Sequence, residues 1–152
     1  MAETQPNART ADPYLAARFW VEIDGIVVGG FTECSGFKVE TEVESIREGG
    51  LNRHVHLLPK GTKWSNIVLK RGWVANTDLW DWYLQTINGQ HTVKSVSVLM
   101  FEYHGSSNAE AAFRWDLSNA FPVKWTGPDF KADSTSVAVE TLELAHSGWT
   151  GS

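Results

Sequence analysis

FKVETEVESI, residues 37–46, alternates at every position. Phe37, Val39, Thr41, Val43 and Ser45 fall on one side, and Lys38, Glu40, Glu42, Glu44 and Ile46 on the other. A period of two is that of a strand. The pattern predicts a half-buried strand with its apolar set turned inward and a strongly acidic face exposed. The next stretch, EGGLNRHVHLLPKGTKW from Glu48 to Trp64, is polar and punctuated by Gly49-Gly50 and by Pro59 to Gly61. SNIVLKRG, residues 65–72, then reads as a returning strand. Residues 48–64 therefore read as the far end of a long antiparallel hairpin.

That hairpin carries His54 and His56, which share a face on a strand. A zinc site needs a third protein ligand. His91, His104, His146 and Glu48 are available, but none stands at a supporting spacing. Solvated hairpin histidines are the better reading, and no metal is expected.

Outward from this hairpin, RFWVEIDGIVVGGF places two apolar runs around Asp24-Gly25. Asp-Gly suits a type I′ turn, whose central residues both need positive φ, so a second hairpin is predicted here. NTDLWDWYLQTING, residues 76–89, predicts the one helix. Asn76 or Thr77 can cap it, Asp78 and Asp81 complement its dipole, and Gly89 suits its C′ position. Polar residues line one narrow stripe, while Leu79, Trp80, Trp82, Tyr83, Leu84 and Ile87 cover most of the circumference. A surface helix usually has one apolar stripe. This one asks for cover on two sides, either deep in its own domain or between its sheet and a neighbouring subunit. VKSVSVLMFEY, AFRWDLSNAFPVKW and TSVAVETLELAH read as further strands. The order predicts a mainly β protein: an antiparallel sandwich or barrel-like subunit with one packed helix.

The chain has 152 residues, enough for one domain, here 16–152, preceded by a flexible polar arm at 1–15. Its net charge of -5 argues against a wrapped nucleic-acid partner. A single cysteine, Cys34, excludes an internal disulfide framework. The polar N-terminus has no apolar core of a secretory signal, so synthesis in the cytoplasm is expected. Eight tryptophans are many for this size, and point to a Trp-rich core or to a subunit that buries surface against copies of itself.

Catalytic signatures are missing. There is no G-x-S-x-G elbow and no phosphate-binding glycine loop. Cys34 stands in no nucleophile motif and reads as a small buried hydrophobe. Glu40, Glu42 and Glu44 on an exposed face read as solvation rather than as an acid/base pair, which needs burial to raise one carboxylate. No enzyme and no cofactor are expected.

Several segments together resemble the tail tube proteins of contractile bacteriophages and extracellular contractile injection systems. They are VEIDGIVVGGFTECSGF, EVESIREGG, LPKGTKWSNIVLKRG, LWDWY, WDLSNAFPVKWTGPDF and VETLELAHSG, in the family's order over nearly all of residues 18–148. The resemblance implies a β-sandwich or barrel-like subunit that forms six-membered rings, with rings stacked into a hollow tube. A contractile sheath would drive the tube through a target envelope. The haemolysin-coregulated protein of type VI secretion would be a structural relative. Implied partners are other copies of the chain, the sheath, baseplate and cap proteins, cargo in the lumen, and a target membrane only on firing. The protein would end in a phage-tail-like particle, held in the cytoplasm or released on lysis. In this picture Glu48, Leu51, Asn52, Arg53, His54, His56, Leu58 and Lys60 contact the adjacent ring. Trp80, Trp82 and Tyr83 of the helix meet a neighbouring subunit, and Lys38, Glu40, Glu42 and Glu44 line the lumen. A tube initiator at the baseplate or a phage tail tube are readings within the same family. A small-molecule-binding β-barrel, and a metal enzyme built on His54 and His56, are rivals of other classes.

Overall fold

The computed structural model describes residues 19–47, 49, 50, 55–101, 111–133 and 135–151. The predicted arm lies outside them. The described residues form β1 (Phe19–Ile23), β2 (Ile26–Val28), β3 (Phe31–Ser35), β4 (Val39–Arg47), β5 (Val55–Trp64), β6 (Ile67–Gly72), α1 (Asp78–Ile87), β7 (Lys94–Phe101), β8 (Ala111–Thr126), β9 (Val139–Ala145) and β10 (Trp149–Gly151). Every strand pairing among them is antiparallel. The protein is mainly β with a single helix.

Local chemistry fixes the ends of several elements. β1 turns into β2 through Asp24 (φ 53°) and Gly25 (φ 75°), with Ile23 opposite Ile26. Positive φ at both positions is what a two-residue hairpin turn requires. At the helix start Thr77 is the N-cap residue, and the Asp78 amide donates to Asn76 Oδ1 at 2.8 Å. The helix ends where Gly89 takes φ 82°.

The body strands run in the order β2-β1-β7-β8-β9-β6-β3, with β10 also on β8. β8 is 16 residues long because it serves two sheets. Its first half pairs with β7 and β10, and its second half, from Phe121, with β9. The change of partner falls at Asn119, whose φ of 52° marks an irregular step in the ladder. The two sheets close over a core of Val21, Ile23, Val96, Val98 and Leu117 from one and Ile67, Leu69, Leu142 and Leu144 from the other, sealed by Leu79 and Trp82 of the helix.

One layer of that core is ionic. Inward positions of β6 are Ile67, Leu69 and Arg71, and those of β9 are Leu144, Leu142 and Glu140. Arg71 stands directly opposite Glu140, each with a side chain 2 % exposed, and Arg71 Nε donates to Glu140 Oε1. Trp125 Nε1 donates to the other carboxylate oxygen at 3.1 Å. Arg71 Nη2 donates to the Asn76 carbonyl at 3.2 Å, just before the helix, and the guanidinium lies 5.8 Å from the Phe31 ring centroid. The pair thus ties β3, β6, β8, β9 and the helix start together. On the other side of β7 and β8, Ser97 and Arg114 both donate to Asp116. The Ser97 hydroxyl first, and then Arg114, hold that carboxyl below the usual range.

Removing one partner of a buried ion pair leaves an uncompensated charge and costs about 3–5 kcal/mol. Glu140→Ala should lower the isolated subunit's stability by that amount, read from the midpoint of urea unfolding.

Candidate assembly surface

β4 and β5 form a ribbon that pairs with no other strand. It extends the hairpin made by β3 and β6. Every residue of both strands is exposed. This corrects the half-buried strand expected from the alternation, because beyond the root no described residue covers the apolar side. Opposed pairs on that side are Val39 with Trp64, Thr41 with Thr62, Val43 with Pro59, Ser45 with Leu57 and Arg47 with Val55. Val43 is 57 % exposed and Leu57 67 %. A two-stranded ribbon is marginal in water without a surface to pack on.

The opposite side carries Glu40, Glu42, Glu44 and Ile46 against Lys63, Gly61, Leu58 and His56. Lys38 Nζ lies 2.8 Å from Glu40, and Lys63 Nζ 3.4 Å from Glu42. The hydrogen bond and charge of Lys38 hold the Glu40 carboxyl below its usual range. This side is therefore mixed in charge at its root and partly apolar further out, not the strongly acidic face expected. Lys60 is the extra residue of a bulge between the Gly61 and Pro59 pairs. The bulge shifts the alternation of β5 by one, so the apolar side of β5 is hard to read from sequence. His56, Leu58 and Lys60 sit on exposed β5. Glu48, Leu51, Asn52, Arg53 and His54 lie outside the described residues. Among the described residues no three potential metal ligands come together.

The root of the ribbon is tightly built. The Ser65 amide donates to the Lys38 carbonyl at 3.0 Å. A Cβ on Gly36 (φ 100°) would stand 2.1 Å from the Asn66 carbonyl oxygen. Trp64 meets Trp149 at 4.6 Å between centroids, and Phe37 meets Trp149 and Trp115 at 5.4 Å each. His146 completes the seam. The Gly148 amide donates to its Nδ1 at 3.0 Å, so its proton is on Nε2, which donates to the Ser65 carbonyl at 2.7 Å. The ribbon leaves the body along a direction set by these contacts. Sequence reading missed Phe37, Trp64, His146 and Trp149 as a unit, since only the fold brings them together.

The helix divides its apolar residues. Leu79 and Trp82 are buried in the subunit's own core, and Trp82 Nε1 donates to the Thr92 carbonyl at 3.0 Å. Trp82 is 2 % exposed and cannot meet a neighbour, which corrects its expected place in an interface. Trp80 and Tyr83 are half-buried, Trp80 against Trp125 at 4.8 Å. Ile87 is 56 % exposed. Of the eight tryptophans only Trp82 is fully buried, while Trp20, Trp73 and Trp64 remain exposed. A Trp-rich core is thus not the reason for their number. Burial pushes the Cys34 thiol up to about 12, which keeps it protonated and unsuited to attack.

A projecting ribbon whose apolar side no described residue covers beyond the root is suited to assembly. The T4-like virus tail tube protein gp19 family matches residues 15–150, and the chain belongs to that family. It is a structural tube protein, not an enzyme. Three solved structures share the fold. A chain in the cryo-EM structure of the anti-feeding prophage cap, the tube-terminating cap, is 26% identical with TM-score 0.80, over 100% of this chain and 99% of that one. One in the anti-feeding prophage baseplate is 26% identical with TM-score 0.79, over 93% and 97%. One in the extended sheath-tube complex of the extracellular contractile injection system PVC is 24% identical with TM-score 0.81, over 94% and 93%. No curated protein matches the chain.

A root this close-packed should not accept a side chain at Gly36. Gly36→Ala is expected to cut tube yield severely in electron micrographs. Gly61→Ala, where a Cβ meets nothing within 4 Å, should assemble as the parent does.

Proposed function

We propose that this protein is the inner tube subunit of a phage-tail-like contractile particle, assembling as hexameric rings stacked into a hollow conduit. The observation that carries the reading is the ribbon β4–β5, exposed on both sides and apolar on one. In this reading another copy covers that side, since a lone ribbon is marginal in water without a surface to pack on. The solved relatives occur beside a sheath, in a baseplate and in a terminating cap. By that likeness the partners here are a contractile sheath, baseplate components and a cap. Cargo in the lumen and a target membrane met on firing complete the picture, with the finished particle held in the cytoplasm or released on lysis. No helix among the described residues is long and apolar enough to cross a membrane.

The far end of the ribbon, from Glu48 through Leu51, Asn52, Arg53, His54, His56, Leu58 and Lys60, is assigned to contact with the adjacent ring. Replacing residues 51–58 by a short Gly-Ser linker should leave the subunit folded and stop tube growth. Normal tubes from that variant would sink the assignment.

Lys38, Glu40, Glu42 and Glu44 are assigned to the lumen. Charges repeated around a narrow channel act on whatever passes through it. Lys38 and Lys63 offset two of the carboxylates, so the channel would be mildly rather than strongly anionic. Reversing Glu40, Glu42 and Glu44 to Lys is expected to preserve tubes and sheath binding while changing how much cargo co-purifies. Loss of sheath binding with unchanged cargo would put this side of the ribbon on the outside.

A further inference from the structure

Beside the ribbon root, between the two sheets, is a cavity of about 400 Å³. Phe19, Cys34, Phe37, Val98, Met100 and Trp115 give it an apolar lining. We infer that this cavity receives Leu57 from the ribbon of a second copy, so that copies join tip to root along the tube. The inference rests on the tube reading and adds to it the surface that receives the ribbon.

Two observations select that occupant. Leu57 is the most exposed large apolar residue of the ribbon, at 67 %. Its own chain cannot bring it to the cavity, since it lies seven residues beyond Trp64 along β5, about 23 Å at ~3.3 Å per residue. The second observation is continuity. Phe37 lines the cavity and also packs on Trp149, which packs on Trp64, the first apolar rung of the ribbon. Cavity and ribbon therefore form one apolar strip that no other described residue covers, with a hollow at one end and a projecting side chain towards the other. A second strip shifted along the first by about a ribbon's length brings its Leu57 to that hollow.

Each copy gives its tip to one neighbour and takes the tip of another at its root, so the contact is heterologous and repeats along an axis, as stacking requires.

Cross-linking tests this. Cys34 is a poor reporter because its thiol stays protonated, so the exposed Ser35 beside it is used. Ser35→Cys and Leu57→Cys are combined in a chain that keeps Cys34, and assembled tubes are oxidised mildly. A bridge needs Cα atoms within about 4.4–6.8 Å, which excludes one inside a single chain. The expected result is a reducible ladder of dimers, trimers and longer species on a denaturing gel, absent from the parent chain and from either single substitution. Leu57→Asp should leave the subunit's thermal melt unchanged and abolish long tubes. Tubes that form without the ladder, or a ladder from Leu57→Cys alone, would overturn the inference and leave the tube reading standing. So would full-length tubes from Leu57→Asp, the result expected if a sheath segment or the chain's own first residues fill the cavity. Failure of the unsubstituted chain to form rings or tubes would strike the tube reading itself, and this inference with it.

Discussion

A two-stranded ribbon has no interior, so its apolar side chains must find cover on something else. That constraint governs this protein. β4 and β5 hold Val39, Val43, Val55, Leu57 and Trp64 on one side, and the described residues supply no surface to receive them beyond the root. The rest of the molecule is organised around presenting that ribbon. β3 and β6 anchor its two legs in the body, Gly36 permits the closest backbone approach, and the Trp64, Trp149 and His146 seam fixes its direction. A flexible ribbon would lose conformational entropy on every docking event. A rooted one has already lost it on folding.

The Arg71–Glu140 pair follows a related logic inside the body. An apolar layer at that level would pack as well, and replacing a buried ion pair by hydrophobes is often neutral or stabilising. What the pair adds is direction. Its hydrogen bonds reach Trp125 on β8 and the carbonyl of Asn76 before the helix, so β6, β8, β9 and α1 are held in one arrangement. A body whose sheets slid by one rung would break all of these bonds together.

Much of this was legible in the sequence, and the parts that were not share a cause. Asp24-Gly25, the capped helix and the strand alternation are local signals, set by φ preference, dipole and period, and the structure carries them as read. The mistaken burial of β4 came from reading polarity as location. Alternation says which side chains avoid water, not which molecule covers them. Lys60 hid the apolar side of β5, because one bulged residue inverts the period beyond it. Trp82 and Trp80 look alike in a helix that is apolar almost all round, and only packing against β8 and Thr92 separates core from margin. A signal for Arg71 and Glu140 did exist. Each is the charged member of an otherwise apolar strand face, but the two stand 69 positions apart.

β8 has a mechanical meaning. It runs 16 residues without a break, and its two halves belong to different sheets. Force applied along it meets backbone hydrogen bonds on both of its edges near the middle, where β7, β9 and β10 converge. Those bonds lie across the load and must fail together, not one after another as in the peeling of an end strand. The irregular step at Asn119 is bracketed by the Ser118 amide donating to the Gly148 carbonyl at 2.9 Å and the Ser147 amide donating to the Ser118 carbonyl at 2.8 Å. The place where the spar bends is thus also where it is braced, and a push delivered to one sheet reaches the other without passing through a hinge.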